Sequence, residues 1–227
     1  MKSTAPWPAA VANLARLGLI AAVAMGCGSN LGPVPHDGGG IDRSPEEPLP
    51  VDASTDAQVT EVEAGIDGGT CAVVVEHHPD EGASHIPCTY PAVYDTDPPS
   101  SGNHYPQWAA YQTYDWPVPW GNLVHCLEHG AVVVVYNCPE GCPDEVARAE
   151  AWVAGLPPDP SCPNHRLVLA PDPTLGVRWA ATAWTWTLRS DCFDEPTFTQ
   201  FYADHYGHGL ELVCSDGSND PAVLCPQ

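Results

Sequence analysis

Ala131-Val-Val-Val-Val-Tyr136, followed by Pro143-Asp-Glu-Val-Ala-Arg-Ala-Glu-Ala-Trp-Val-Ala-Gly-Leu156, sets the architecture of the chain. The continuous β-branched run reads as a buried strand. The second segment reads as a helix. Pro143 suits its first turn, Asp144 and Glu145 favour its positive end, and Val146, Ala149, Trp152 and Val153 fall on one face. Downstream, Arg166-Leu-Val-Leu-Ala170 and Val177 to Thr187 read as two strands joined by a Pro/Gly turn. Asp194 to Tyr206 is a second helix, with Asp194 as N-cap and Phe198, Phe201 and Tyr202 facing inward. Cys71 to Glu76 supplies a strand upstream, and Gly209-Leu-Glu-Leu-Val213 a last short one. Residues 77–123, rich in Pro, Gly, Tyr and Trp without helical period, form a long ordered loop. The order βαββα(β) predicts an α+β fold of ferredoxin-like type, a small antiparallel sheet with helices on one face.

The N-terminal region reads differently. Lys2 and Arg16 are basic, Leu17 to Ala24 is an apolar core too short to stop transfer, and Ala24-Met-Gly-Cys27 resembles a lipobox. Residues 1–26 are therefore expected to be a signal peptide, with Cys27 the lipidated residue and the only membrane anchor. Neither Gly28 nor Ser29 is the aspartate associated with inner-membrane retention, so the expected location is the outer membrane, at its periplasmic face or the cell surface. From Cys27 to Thr70 the chain reads as a disordered tether: Gly/Pro-rich, without aromatics, with Arg43 the one Lys or Arg against many acids. Residues 71–227 remain as a single domain of sufficient length to bury a core. A net charge of −22 over 227 residues argues against nucleic acid and against docking on anionic headgroups.

Of the ten cysteines, nine follow the tether: 71, 88, 126, 138, 142, 162, 192, 214 and 225. Most lie in Pro-rich loops, where disulfides staple turns in an oxidising compartment. An odd number leaves one unpaired, and Cys126 is the candidate because it sits inside a histidine-rich motif. Cys138 and Cys142 could alternatively begin a zinc site, although no second closely spaced pair accompanies them.

The chemistry concentrates in residues 77–129. His85 lies in Glu81-Gly-Ala-Ser-His85, His104 in Pro98-Pro-Ser-Ser-Gly-Asn-His104, and His125 and His129 in Val124-His-Cys-Leu-Glu-His-Gly130. Histidines four apart on a helical turn share a face, and imidazoles suit Zn(II) or Cu(II) outside the cell. A metal site built from His85, His104, His125 and His129 is one expectation. Glu128 could orient a ligand, bind the ion, or serve as a base. Cys126 as a thiolate would shift the preference toward Cu(I) or Zn(II), but Met1 and Met25 both precede Cys27, so no Met-rich Cu(I) site is expected. A Cys126–His125 nucleophile pair is disfavoured because neighbours on a helix diverge by about 100°.

These motifs also resemble the bacterial domain of unknown function 3105. The resemblance rests on His85, Tyr94, the Pro98-Pro-Ser-Ser-Gly-x-His104 run and Val124-His-x-Leu-Glu-His-Gly130-x-Val-Val, and extends over roughly residues 75–210. It implies an exported or membrane-anchored protein without an established activity. His125-Cys-Leu-Glu-His129 additionally fits the H-x-x-E-H pattern of one zinc-protease class, but that chemistry needs a long helix. Pro117, Pro119 and Gly130 leave room for about two turns, and nothing ties Glu195 or Glu211 to the motif as a third ligand. Three expectations therefore stand together: an anchored metal-binding domain, a structural or interaction lipoprotein whose histidines brace loops, and a metal-dependent hydrolase using Glu128.

Overall fold

The valine run is strand β3 (Val132–Tyr136), and it is apolar throughout because both of its faces are covered. Val132 and Val134 pack with Ala149 and Trp152 of helix α2 (Pro143–Gly155) and with Phe198, Phe201 and Tyr202 of helix α3 (Glu195–His205). Val133 and Val135 face Leu123, Val124 and Leu127 of helix α1 (Trp120–Glu128), together with Tyr114 and Val118 of the long loop. The computed structural model describes residues 57–63 and 70–225, all within one compact unit.

The remaining strands are β1 (Ala57–Glu63), β2 (Thr70–His77), β4 (Leu167–Pro171), β5 (Trp179–Ala183) and β6 (Trp186–Ser190). They form one six-stranded sheet in the order β1-β2-β6-β5-β3-β4. The α+β class, the disulfide reinforcement and the long ordered loop agree with the sequence reading, and the helices foreseen after Pro143 and Asp194 share a face. Asp194 caps α3 by accepting from Thr197 N at 3.1 Å.

Four details differ. The β3–β4 pair is parallel, which requires the crossover that α2 provides. Helix α1 lies on the opposite face, and its first residues, 120–123, fall in the stretch read as loop. The segment 177–187 is two strands rather than one, because the chain reverses at Trp184-Thr185. That turn lacks the Gly or Asn that would announce it, yet Thr185 adopts φ 64°. Its N–H donates to Ser100 O at 2.8 Å and its hydroxyl to Trp184 O at 2.6 Å. Residues 209–213 form no strand but an irregular segment against the end of α1, with Glu211 N donating to Glu128 O at 2.9 Å.

The sheet also begins inside the segment read as tether. Strand β1 pairs with β2 in antiparallel register from Ala57↔Glu76 to Glu63↔Thr70. Composition hid it, since the backbone ladder needs no apolar side chains and Val59, Thr60 and Val62 supply β-branched positions. The signal peptide, Cys27 and the rest of the tether lie outside the described residues. Among the described residues no helix is long and apolar enough to cross a membrane.

Four disulfides join Cys71–Cys192, Cys88–Cys225, Cys138–Cys142 and Cys162–Cys214. Cys126 is the one free cysteine among the described residues, as its place in the motif suggested. The Cys138–Cys142 bond removes the zinc alternative for that pair.

Candidate metal centre

Helix α1 is short because its end is built into the sequence. Gly130 adopts φ 77°, its N–H donates to Leu127 O at 2.9 Å, and Ala131 N donates to Cys126 O at 3.0 Å. This left-handed closure satisfies the last carbonyls and turns the chain directly into β3. His125 and Glu128, three residues apart, are thereby presented on one side of the last helical turn.

Two loop segments bring the other histidines to that turn. His85 and His104 pair as an isolated parallel bridge, with Ile86 N donating to His104 O at 2.8 Å and His104 N to Ser84 O at 3.1 Å. The Pro98-Pro-Ser-Ser-Gly102 run is bolted to the β5–β6 hairpin: Thr182 Oγ1 donates to Pro99 O at 2.9 Å, and Ser100 O receives Thr185 N. Ser101 Oγ accepts from Glu81 N at 3.0 Å. Tyr105 then locks the loop to the helix, its N–H donating to Gly121 O at 3.0 Å while its ring lies on Gly121.

Of the four histidines expected together, His85, His104 and His125 converge, and Glu128 completes their group. Glu128 Oε2 stands 3.1 Å from His104 Nε2 and 3.8 Å from Nε2 of both His85 and His125. The three ring centroids lie 4.7–4.9 Å apart. Four ligands at about 2.0–2.1 Å from a tetrahedral ion are separated by about 3.3 Å; the distances to Glu128 Oε2 lie within about half an ångström of that, and all four ligand atoms fall within 4.8 Å of one another. His129 belongs to a neighbouring group with Glu128 and Glu211, its Nε2 being 4.0 Å from Glu211 Oε2. His125 and His129, the paired histidines of the H-x-x-E-H motif, thus face different partners, although their rings are 4.5 Å apart.

Hydrogen bonds set the tautomers. His104 Nδ1 bonds Gly102 O at 2.9 Å, and His125 Nδ1 bonds Tyr105 O at 2.7 Å. A carbonyl only accepts, so both Nδ1 atoms carry hydrogen, and in a neutral ring Nε2 is then a bare lone pair. Burial lowers the pKa of His125 to about 3; the Tyr105 bond opposes that shift, while His129, His104 and His85 add to it. Its ring is neutral at ordinary pH. A neutral imidazole lone pair turned toward a carboxylate oxygen is repulsive unless a cation lies between them.

Access is from one side. The His85 side chain is half-exposed, while His104, His125 and Glu128 are buried. Trp108 covers the other flank, its ring centroid 5.1 Å from that of His125 and 4.7 Å from that of His129. Its Nε1 donates to Ser215 O at 3.2 Å, so the C-terminal segment holds it in place. Cys126 points away from the cluster. Its buried thiol donates to Ala109 O and Asn122 O, both at 3.4 Å, and burial pushes its pKa up to about 12. It is neither a thiolate ligand nor half of a nucleophile pair with His125.

Sequence reasoning placed Glu128 near the site without choosing its role. It did not find the carbonyls of Gly102 and Tyr105, which orient two of the rings. Glu195 is in the first turn of α3, away from the cluster, while Glu211 is beside it.

A disulfide-braced α+β domain with three imidazoles and a carboxylate converging at the end of a short helix is the class that fold and site define. Residues 85–215 match the family described as "Protein of unknown function (DUF3105)", and the chain belongs to that family. No curated protein and no solved structure matches the chain.

Proposed function

We propose that this is an exported, lipid-anchored protein whose extracytoplasmic domain binds one transition-metal ion, Zn(II) or Cu(II), through His85, His104, His125 and Glu128. The observation that carries the reading is the convergence of three Nε2 atoms on one carboxylate oxygen when two of those rings have Nδ1 committed to carbonyls. Such outer hydrogen bonds fix an imidazole as a ligand. Three nitrogens and one oxygen suit Zn(II) or Cu(II). Glu128 fits a ligand better than a catalytic base, because its Oε2 lies within 3.8 Å of all three nitrogens.

The bracing alternative draws on the bonds of His104 and His125 Nδ1 to Gly102 O and Tyr105 O, and on the His104–Glu128 contact. A doubly protonated His104 would donate both to Gly102 O and to Glu128 Oε2 at 3.1 Å. It accounts for the Nδ1 bonds and the His104–Glu128 pair, and leaves the approach of the His85 and His125 Nε2 atoms to Glu128 Oε2 without a reason.

Export and anchoring rest on the N-terminal sequence and on four disulfides, which persist outside the cytoplasm. Elemental analysis of the full chain, purified oxidised and titrated with Zn(II) and Cu(II), tests the binding. At least one tightly held equivalent is expected, lost in His104→Ala and His125→Ala. A metal-free wild type that also takes up no added ion would sink the reading in favour of bracing. For the anchor, Cys27→Ala should abolish incorporation of labelled fatty acid and release the protein from membranes; unchanged labelling would overturn that part.

A further inference from the structure

His129 is left over by this centre, and its surroundings are unusual. Its side chain is only 3% exposed, yet Nδ1 is buried without any hydrogen-bond partner. Nε2 faces Glu211 Oε2 at 4.0 Å, too far for a hydrogen bond. Among the described residues neither ring nitrogen of His129 makes a hydrogen bond, so Nε2, the nitrogen that faces Glu211, is available to a cation. His129, Glu211 and Glu128 each offer a ligand atom, all within 4.8 Å of one another.

The backbone goes to some length to keep Glu211 there. Gly207 N donates to Gly130 O at 2.9 Å, and Glu211 N donates to Glu128 O at 2.9 Å. Between these bonds Gly209 lies so close to α1 that a Cβ on it would stand 2.2 Å from Gly130 N and 2.3 Å from Glu128 O. Only glycine permits that approach. The irregular segment after α3 is thus stitched to the last turn of α1, and the stitch presents Glu211 to His129. Glu211 is 64% exposed, leaving one side of the group open to solvent.

We infer that the centre is dinuclear: a second divalent cation binds between His129 and Glu211, and Glu128 bridges it to the first ion with one oxygen for each. The inference rests on the single-ion reading above, since the bridge presupposes the first ion. Carboxylate-bridged pairs stand about 3.5–4 Å apart, a spacing that a carboxylate spans. With three protein ligands the second ion keeps open positions for water or an anionic oxygen ligand, whereas the first is closed by four.

Titration of the oxidised full chain with Zn(II), followed by gel filtration and elemental analysis, separates the outcomes. The expected result is two equivalents for the wild type and one for Glu211→Gln, an exposed substitution that leaves the fold intact. Cu(II) at two equivalents should give a dipole-broadened EPR spectrum with a half-field line, absent from Glu211→Gln. One equivalent in both proteins overturns the second site and keeps the first. Two equivalents in both place the extra ion elsewhere, for instance at His205 and His208, and overturn this assignment. None in either overturns both readings.

Discussion

Replacing Gly121 by alanine tests whether the loop carrying His104 is seated on α1 as described. A Cβ at this position would lie 2.4 and 2.5 Å from Cδ2 and Cε2 of the Tyr105 ring and 2.9 Å from Cγ, against ordinary contact at 3.4–4 Å. The ring must therefore retreat by about 1 Å. It cannot do so freely, since Tyr105 is 5% exposed, its N–H is bonded to Gly121 O, and its carbonyl holds His125 Nδ1 at 2.7 Å. Overpacking of this kind costs about 1–3 kcal/mol, while alanine in a helix regains up to about 1 kcal/mol over glycine. With a clash this deep at about 2–3 kcal/mol and the full regain of about 1 kcal/mol, the clash wins by about 1–2 kcal/mol. At about 2–4 °C per kcal/mol for a domain of this size, thermal unfolding should begin about 2–8 °C lower. Gly155, at the end of α2 with nothing within 4 Å, is the internal control. There the same change should stabilise by about 0.4–1 kcal/mol, because only backbone entropy is altered. Differential scanning calorimetry of both variants decides the matter. A Gly121→Ala protein melting at or above the wild type would refute the packing of Tyr105 and, with it, the account of how His125 is oriented.

Glu145 is held below its ordinary value of 4.5: burial alone would raise it, but hydrogen bonds from Arg178 and Trp179 outweigh that. A depressed carboxylate stabilises fully above its unfolded pKa and loses the contribution as pH falls through its folded one. Urea unfolding should therefore show a constant gap between wild type and Glu145→Gln above about pH 5.5, closing as the solution becomes more acidic; a gap that widens there contradicts the pairing. Cys126 should resist iodoacetamide in the native protein at pH 8 and react once guanidinium unfolds it, as mass spectrometry would register. Prompt native labelling would mean the thiol is not enclosed as described.

The fold was legible where pattern and physics coincide. The uninterrupted valines of β3 reported burial on both faces, and α2 and α3 carried their caps and apolar faces openly. The turn at Trp184-Thr185 was not legible, because its left-handed residue is held by Ser100 O, a contact from a distant loop. Strand β1 was hidden by composition, since its ladder is a backbone property. At the site, residue types and the local turn pointed to His85, His104, His125 and His129 as ligands, with Glu128 beside them in an unassigned role. The separation of His129 from that group depends on where Glu211 falls, and Glu211 is placed by glycines at 130, 207 and 209 meeting across two segments. Such close approaches leave no periodic trace in a sequence. They show only as glycines, and many glycines mean less.

The hold of the C-terminal segment on Trp108 and of Cys225 on Cys88 has a consequence for the order of assembly. A chain emerging N-terminus first exposes His85, His104 and His125 well before residues 211–225 appear. Until then Trp108 has no carbonyl to hold it over the rings, Glu211 is missing, and the loop beside His85 is untethered. The imidazoles emerge as separate, weakly competing donors. Only when Ser215 docks and the Cys88–Cys225 bond closes do they become one enclosed centre. A chain clipped before Ser215 would carry His85, His104, His125 and Glu128 and still lack the wall that encloses them.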